Sequence, residues 1–238
     1  MKILAVETST KTAYVSIAEA ENNKAKPIVS YMYEAPSHTT ALMKMIDSAL
    51  KLSGTALDDI DLYAAAVGPG SFTGVRIGVS VIKGLAFADS KPCVGVSSLD
   101  ALAYSLKKCH GIVTPMIDAR RGTFYTSIYL ANGDLTKLAN EQQLEFDDYH
   151  TLIRDKVIDQ RLILTGDAAD MNFEKLKNIG VDADVVDSNA AYGAALAAYV
   201  KYTNGNKDEF NDINLVPVYL KKSQAERERE ERLASLNK

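Results

Sequence analysis

Two stretches of this chain carry the same local pattern at an offset of 111 positions (118 − 7). The first is a short apolar run, Ile3-Leu4-Ala5-Val6, closed by the acid Glu7, a polar turn Thr8-Ser9-Thr10, and a returning strand over residues 13–18. The second is Ile112 to Ile117, the acid Asp118, the turn Ala119-Arg120-Arg121-Gly122, and a strand over residues 123–130. Laid over each other, Thr12 meets Thr123, Tyr14 meets Tyr125, Ser16 meets Ser127 and Ile17 meets Ile128. Two unrelated hairpins can share this much. A later element adds to it, since Leu162-Ile163-Leu164-Thr165-Gly166-Asp167 ends a strand in glycine as Ala64-Ala65-Ala66-Val67-Gly68 does. The pattern predicts an α/β chain of two βββαβα-like halves, 1–108 and 109–220, followed by a charged helical tail at 221–238. The last helix of the body is free to cross back to the first half.

Periodicity supplies the other elements. A third strand is expected over 28–33, a helix over 38–52 stopped by Gly54, a buried strand over 62–67 and a helix over 73–88. A short strand at 94–96 and a helix at 98–108 follow, then an Ala-rich helix at 190–202 and a strand-like run at 216–220. In the tail, Arg227 with Glu231 and Glu228 with Arg232 are i,i+4 pairs, the mark of a solvated helix.

Composition removes several classes of function. Lys plus Arg total 27 against 31 Asp plus Glu, so the whole surface is no nucleic-acid footprint. No apolar run reaches the ~20 residues of a membrane span. No signal-peptide core follows Met1-Lys2, and Cys93 and Cys109 form no C-x-x-C, which fits a reduced, cytoplasmic protein. His38, His110 and His150 make no H-x-x-x-H pair, so no metal is expected.

The densest signal is Gly68-Pro69-Gly70-Ser71-Phe72-Thr73-Gly74-Val75-Arg76-Ile77-Gly78, fed by a strand and leaving into a helix. Such a junction aims backbone N–H groups and a helix dipole at an anion. It equally suits a tight turn with Ser71 or Thr73 as N-cap. It is neither a P-loop nor a dinucleotide fingerprint, because no Gly-Lys-Ser/Thr follows and Gly74 comes one position late. The candidate anion or nucleotide loop is therefore Glu7, Thr8, Ser9, Gly68, Gly70, Ser71 and Thr73, with Asp118 as the second carboxylate. The flanking helices carry more apolar surface than one sheet face needs. Met43, Ile46, Leu50, Val75, Val79, Ile82 and Lys83 are the candidate partner surface. Ile46 and Val79 are open to a core reading, while Met43 and Ile82 border polar strips and should lie nearer the surface.

These residues resemble the bacterial TsaB (YeaZ) family of threonylcarbamoyladenosine biosynthesis. The match rests on Ile3-Leu4-Ala5-Val6-Glu7-Thr8-Ser9, the Gly68–Gly78 loop, Gly95-Val96-Ser97-Ser98-Leu99, Ile117-Asp118-Ala119-Arg120-Arg121 and Leu164-Thr165-Gly166-Asp167. The resemblance implies an actin/Hsp70/sugar-kinase-like (ASKHA) fold of two duplicated subdomains. It implies a non-catalytic partner of the related subunit TsaD, which modifies adenosine 37 of ANN-decoding tRNAs, with a small ATPase, TsaE, alongside. The helices at 39–52 and 73–88 would then meet TsaD or a second copy, giving a homodimer when alone. tRNA would be reached only through the complex, and any ATP would sit at the partner interface rather than in this chain. Relatives of the wider fold have Asp where Glu7 stands and a glycine-rich turn where Arg120 and Arg121 stand. The alternatives are an ATP-dependent kinase-like enzyme of the same fold and, behind it, a metallopeptidase.

Overall fold

The computed structural model describes residues 1–21, 24–34 and 38–220. Its first half forms strands β1 (Lys2–Glu7), β2 (Thr12–Glu21) and β3 (Lys24–Glu34), helix α1 (His38–Ser53), β4 (Leu62–Ala66), α2 (Phe72–Asp89), β5 (Cys93–Val96) and α3 (Ser98–Ser105). The second half repeats that order with β6 (His110–Arg120), β7 (Thr123–Asn132), β8 (Leu135–Leu144), α4 (Phe146–Arg154), β9 (Leu162–Thr165), α5 (Ala169–Asn178), β10 (Asp184–Val185) and α6 (Ala190–Asn204). The sheets run β3-β2-β1-β4-β5 and β8-β7-β6-β9-β10, so every strand has its counterpart. In both, the three leading strands are antiparallel and the later ones join in parallel. This is the duplicated ASKHA architecture.

β1 reads as an unbroken apolar run because it is central and covered on both faces. Leu4 and Val6 point to the core under α1 and α2, Ile3 and Ala5 to the core under α6. The second sheet is covered by α4 and α5 on one face, with Tyr149, Ile153 and Leu176, and by α3 on the other, with Leu99, Leu102 and Leu106. The two lobes therefore exchange their last helices. α3, from the first half of the chain, packs on the second sheet, and α6, from the second half, packs on the first. The crossing explains the alanines. α6 runs against α3 and the sheet together, with Ala190, Ala191, Ala194, Ala195 and Ala198 buried where larger side chains have no room. Ser97 caps α3 through Leu99 and Asp100, and Asn189 caps α6 through Tyr192.

Several expectations need correction. The helix expected to reach 108 ends at Ser105. The run at 216–220 adds no strand; it is an extended strap whose Val218 N–H donates to the Val67 carbonyl at 2.7 Å. β8, α4, α5 and β10 are additional to the elements expected. The repeat is one residue out of the register laid out above, because Glu7 faces Tyr14 while Ile117, not Asp118, faces Tyr125. A bulge between Asp118 and Arg120 marks the difference. The tail pairs Arg227/Glu231 and Glu228/Arg232 lie outside the described residues.

Candidate functional site

β1 delivers Glu7, Thr8 and Ser9 to the cleft between the lobes, all three at most 1% exposed. The Ser9 N–H donates to Glu7 Oε1 at 2.5 Å, and Glu7 Oε2 has no partner among the described residues. Burial raises the Glu7 carboxyl to about 7, against the Ser9 hydrogen bonding that lowers it, with Asp167 of the other lobe adding to the rise. Asp167 is itself raised, first by burial and also by Asp118; its bond from the Asp118 N–H at 2.9 Å opposes the rise, as do the charges of Lys11 and Arg120. Asp118 accepts from the Arg120 N–H at 2.8 Å, and its other oxygen pairs with the Arg120 guanidinium at 3.3 Å. Burial and the neighbouring Glu7 push the Tyr14 phenol up. The cleft thus gathers carboxyls from both lobes, with cations at its mouth.

The glycine loop lies on the first lobe at this cleft, and the protein's own backbone fills it. A Cβ on Gly74 would fall 1.9 Å from the Thr8 carbonyl oxygen, and one on Gly68 2.3 Å from that of Val218. The Ser71 N–H donates to the Ser9 carbonyl at 2.6 Å, and Thr8 Oγ1 donates to the Gly74 carbonyl at 2.7 Å. Ser71 is the N-cap, accepting from the Gly74 N–H at 3.2 Å, while Thr73 is exposed on the first turn. The glycines thus serve close backbone approach. Of the candidate anion residues, Glu7, Thr8, Ser9, Gly68, Gly70 and Ser71 come together; Asp118 joins them only through Asp167. Asp167, Tyr14 and the strap were missed. Gly166-Asp167 stood in the sequence as a strand end, but nothing local to it shows that its carboxyl meets β1.

α1 and α2 lie side by side over the first sheet. Ile46, Val75, Val79 and Ile82, expected at a partner surface, are buried in this chain's own core. The spacing of Val75, Val79, Ile82 and Ala86 aims that stripe at the sheet, so Ile82 lies underneath rather than beside the polar strip. Leu50 and Lys83 are half-buried at the flanks and Met43 is exposed. The outward apolar surface has other members as well. Phe87 is 73% exposed, Leu52 70% and Met43 49%. Tyr33 joins them from the edge strand, on the helix-covered side where its cross-strand partner Ala13 enters the core. Phe87 stood in the sequence among α2's apolar residues, and only the three-dimensional facing separates it from Ile82. At the start of α2, the Arg76 guanidinium sits 3.9 Å over the Phe72 ring, Tyr219 stacks on that ring at 4.3 Å, and Arg76 Nε donates to the Tyr219 hydroxyl at 2.8 Å. This clamp fixes the strap to the loop.

Among the described residues no three His, Cys, Asp or Glu side chains gather as a metal set, and no helix is long and apolar enough to cross a membrane.

Residues 33–227 match the family described as TsaD, tRNA N6-adenosine threonylcarbamoyltransferase. The tRNA threonylcarbamoyladenosine biosynthesis protein TsaB of Bacillus subtilis (strain 168) is 30% identical over 232 residues, covering 95% of this chain and 96% of that protein. TsaB of Haemophilus influenzae is 29% identical over 93% of this chain and 94% of its own. Among solved structures, YeaZ from Pseudomonas aeruginosa superposes with a TM-score of 0.69 at 24% identity, covering 92% of this chain and 99% of that one, a likeness of fold.

Proposed function

This chain belongs to the TsaB family of tRNA threonylcarbamoyladenosine biosynthesis, and from that premise we propose that it is a non-catalytic subunit supporting a TsaD-type transferase, with a TsaE-type ATPase joining them in the cytoplasm. The observation that carries this reading is the outward apolar surface of α1 and α2, where Met43, Leu52 and Phe87 face solvent on adjoining helices. Large apolar side chains left facing solvent on a pair of neighbouring helices suit a docking role rather than a catalytic one. The filled glycine loop supports the non-catalytic half of the reading, since carbonyl oxygens of Thr8, Ser9 and Val218 stand where a phosphate would need donors. ATP, where the complex uses it, belongs at the partner interface. In the absence of the transferase, the same surface pairs two copies of this chain.

The test is Phe87→Glu and Leu52→Glu, followed by circular dichroism and by pull-down with the transferase subunit. An unpaired carboxylate buried at an interface costs several kcal/mol, enough to dissolve a micromolar complex of about 8 kcal/mol. Both variants should fold and fail to associate. Undiminished pull-down by both would move the interface elsewhere. The kinase-like alternative draws on the Glu7–Asp118–Asp167 carboxyls; micromolar ATP affinity of the isolated chain, with hydrolysis lost in Glu7→Ala, would replace the scaffold reading.

A further inference from the structure

Strand β5 is an edge of the first sheet, and its outward backbone is only half used. Pro92, Val94 and Val96 turn towards β4, since the Tyr63 N–H donates to the Pro92 carbonyl and the Val67 N–H to that of Val96. Cys93 and Gly95 therefore turn outward. The Cys93 N–H donates to the Phe210 carbonyl at 3.1 Å, and the Gly95 carbonyl accepts from Lys201 Nζ of α6 at 2.9 Å. Between these two bonds, the Cys93 carbonyl and the Gly95 N–H have no partner among the described residues. One residue of a further parallel strand would use this pair, donating its N–H to the first and accepting from the second with its C=O. No strand among the described residues takes the place. A cavity of about 430 Å³ lies there instead, with Cys93, Gly95, Lys201 and Glu209 in its lining and apolar walls that include Phe210, Val216 and Val218.

We propose that this cavity binds a free α-amino acid with an aliphatic side chain, held as its zwitterion along the open edge of β5. The two ends of the slot carry opposite charge. At the Gly95 end, Lys201 keeps two ammonium donors beyond its bond to Gly95 and makes no ion pair among the described residues. At the Cys93 end, Glu209 adjoins Phe210 and meets no cation among them; its Oε1 accepts only from Asn206 Nδ2, at 3.4 Å. The two charges line one cavity without pairing with each other. A ligand carboxylate on the Gly95 N–H and Lys201, with its ammonium on the Cys93 carbonyl and Glu209, satisfies all four groups through charge-assisted bonds. Asp212 and Lys83 also act on Cys93, in opposite senses. Apolar walls beside a few convergent polar groups, in a volume of this order, suit a small molecule. The inference stands apart from the family reading, since it needs neither the transferase nor the cleft between the lobes.

The test titrates L-valine, L-isoleucine and L-leucine against the full chain at neutral pH by calorimetry, beside the same amino acids acetylated at the amine or amidated at the carboxyl. At least one free amino acid should bind saturably, and either block should weaken it by about tenfold or more, because each removes a charge-assisted contact. Lys201→Met and Glu209→Gln should each weaken it by a similar factor, with the circular dichroism of the free chain unchanged, since both side chains are exposed. In isotope-labelled protein the Gly95 amide resonance should move with the titration, which a contact through the surface charges alone would not produce. No saturation by any of the three at millimolar concentration would overturn the inference, and so would binding that survives both substitutions. Acetylated amino acids that bind as well as the free ones would also overturn it, showing capture of a peptide's C-terminus instead. The pull-down with the transferase subunit is untouched by each of these outcomes, so the scaffold reading stands or falls separately.

Discussion

One substitution made at two helical glycines should have opposite signs. Gly84 faces solvent on α2, and a Cβ there meets nothing within 4 Å. Gly84→Ala therefore gains helix propensity alone, up to ~1 kcal/mol. At ~2–4 °C per kcal/mol for a chain of this size, the midpoint should rise by a few degrees. Gly193 lies in α6 where that helix crosses α3, and a Cβ there would stand 1.7 Å from the Ala101 carbonyl oxygen. Real Cβ atoms essentially never come within 3.0 Å, so the helices must separate by more than 1 Å, and the obstacle is backbone that no rotamer relieves. Overpacking in a close-packed core costs typically 1–3 kcal/mol, occasionally more. This site belongs at the top of that range, because parting the helices also loosens Ala194, Ala198 and Leu102. The same ~1 kcal/mol of propensity cannot offset it. Gly193→Ala should lose roughly 2–4 kcal/mol net. Chemical denaturation of the two variants beside wild type, followed by circular dichroism, reads both signs. A Gly193→Ala protein as stable as wild type would refute the interlocking of the helices as described, and a destabilised Gly84→Ala would show that its helix face is not open.

Glu7 supplies a pH prediction. Its folded carboxyl titrates near 7 against 4.5 ordinarily, so the folded state holds the proton more tightly. That contribution is fully present below pH 4.5 and is lost as pH rises to 7, amounting to roughly 3 kcal/mol. Glu7→Gln should remove this fall, read as the wild-type minus variant stability across pH 4.5 to 7; parallel curves would show that Glu7 is charged throughout. Tyr219→Ala should free the strap from Phe72 and Arg76, speeding proteolysis after residue 210 while the sheets keep their protection; unchanged cleavage would mean the Val218–Val67 bond and Leu215 hold the strap unaided. Truncation after Lys222 should move the unfolding midpoint far less than a core lesion, and a large drop would show that the tail packs on the body.

The sequence betrayed elements whose own residues carry the signal. β1 and β4 are covered on both faces and read as apolar runs; α2 has a cap at Ser71, and α1 stops at Gly54, with φ +62°. The second lobe was harder. β8 is an edge strand of exposed or half-exposed polar residues such as Lys137, Asn140 and Gln142, and α5 is short with few apolar residues among its charges, so the signal of each is weak. At the site, local pattern found the loop and Glu7 but not what faces them. Asp167 meets Glu7 only because the lobes close on each other. Facing also separates the buried from the outward apolar residues of α2, because Ile82 and Phe87 are equally apolar in sequence and differ only in which side of the helix meets the sheet.

The exchange of α3 and α6 bears on how the chain comes to be folded during its synthesis. When residue 108 leaves the ribosome, the first sheet exists in sequence, yet Ile3, Ala5, Ala18 and Val94 on its inner face still lack their cover. That cover is α6, which begins only at Ala190, nearly a whole lobe later. α3 meanwhile waits for the sheet it belongs on, which starts at His110. The early half is thus a growing chain with an open apolar flank, a natural client for chaperones, and both lobes become complete together when the final helix threads between them.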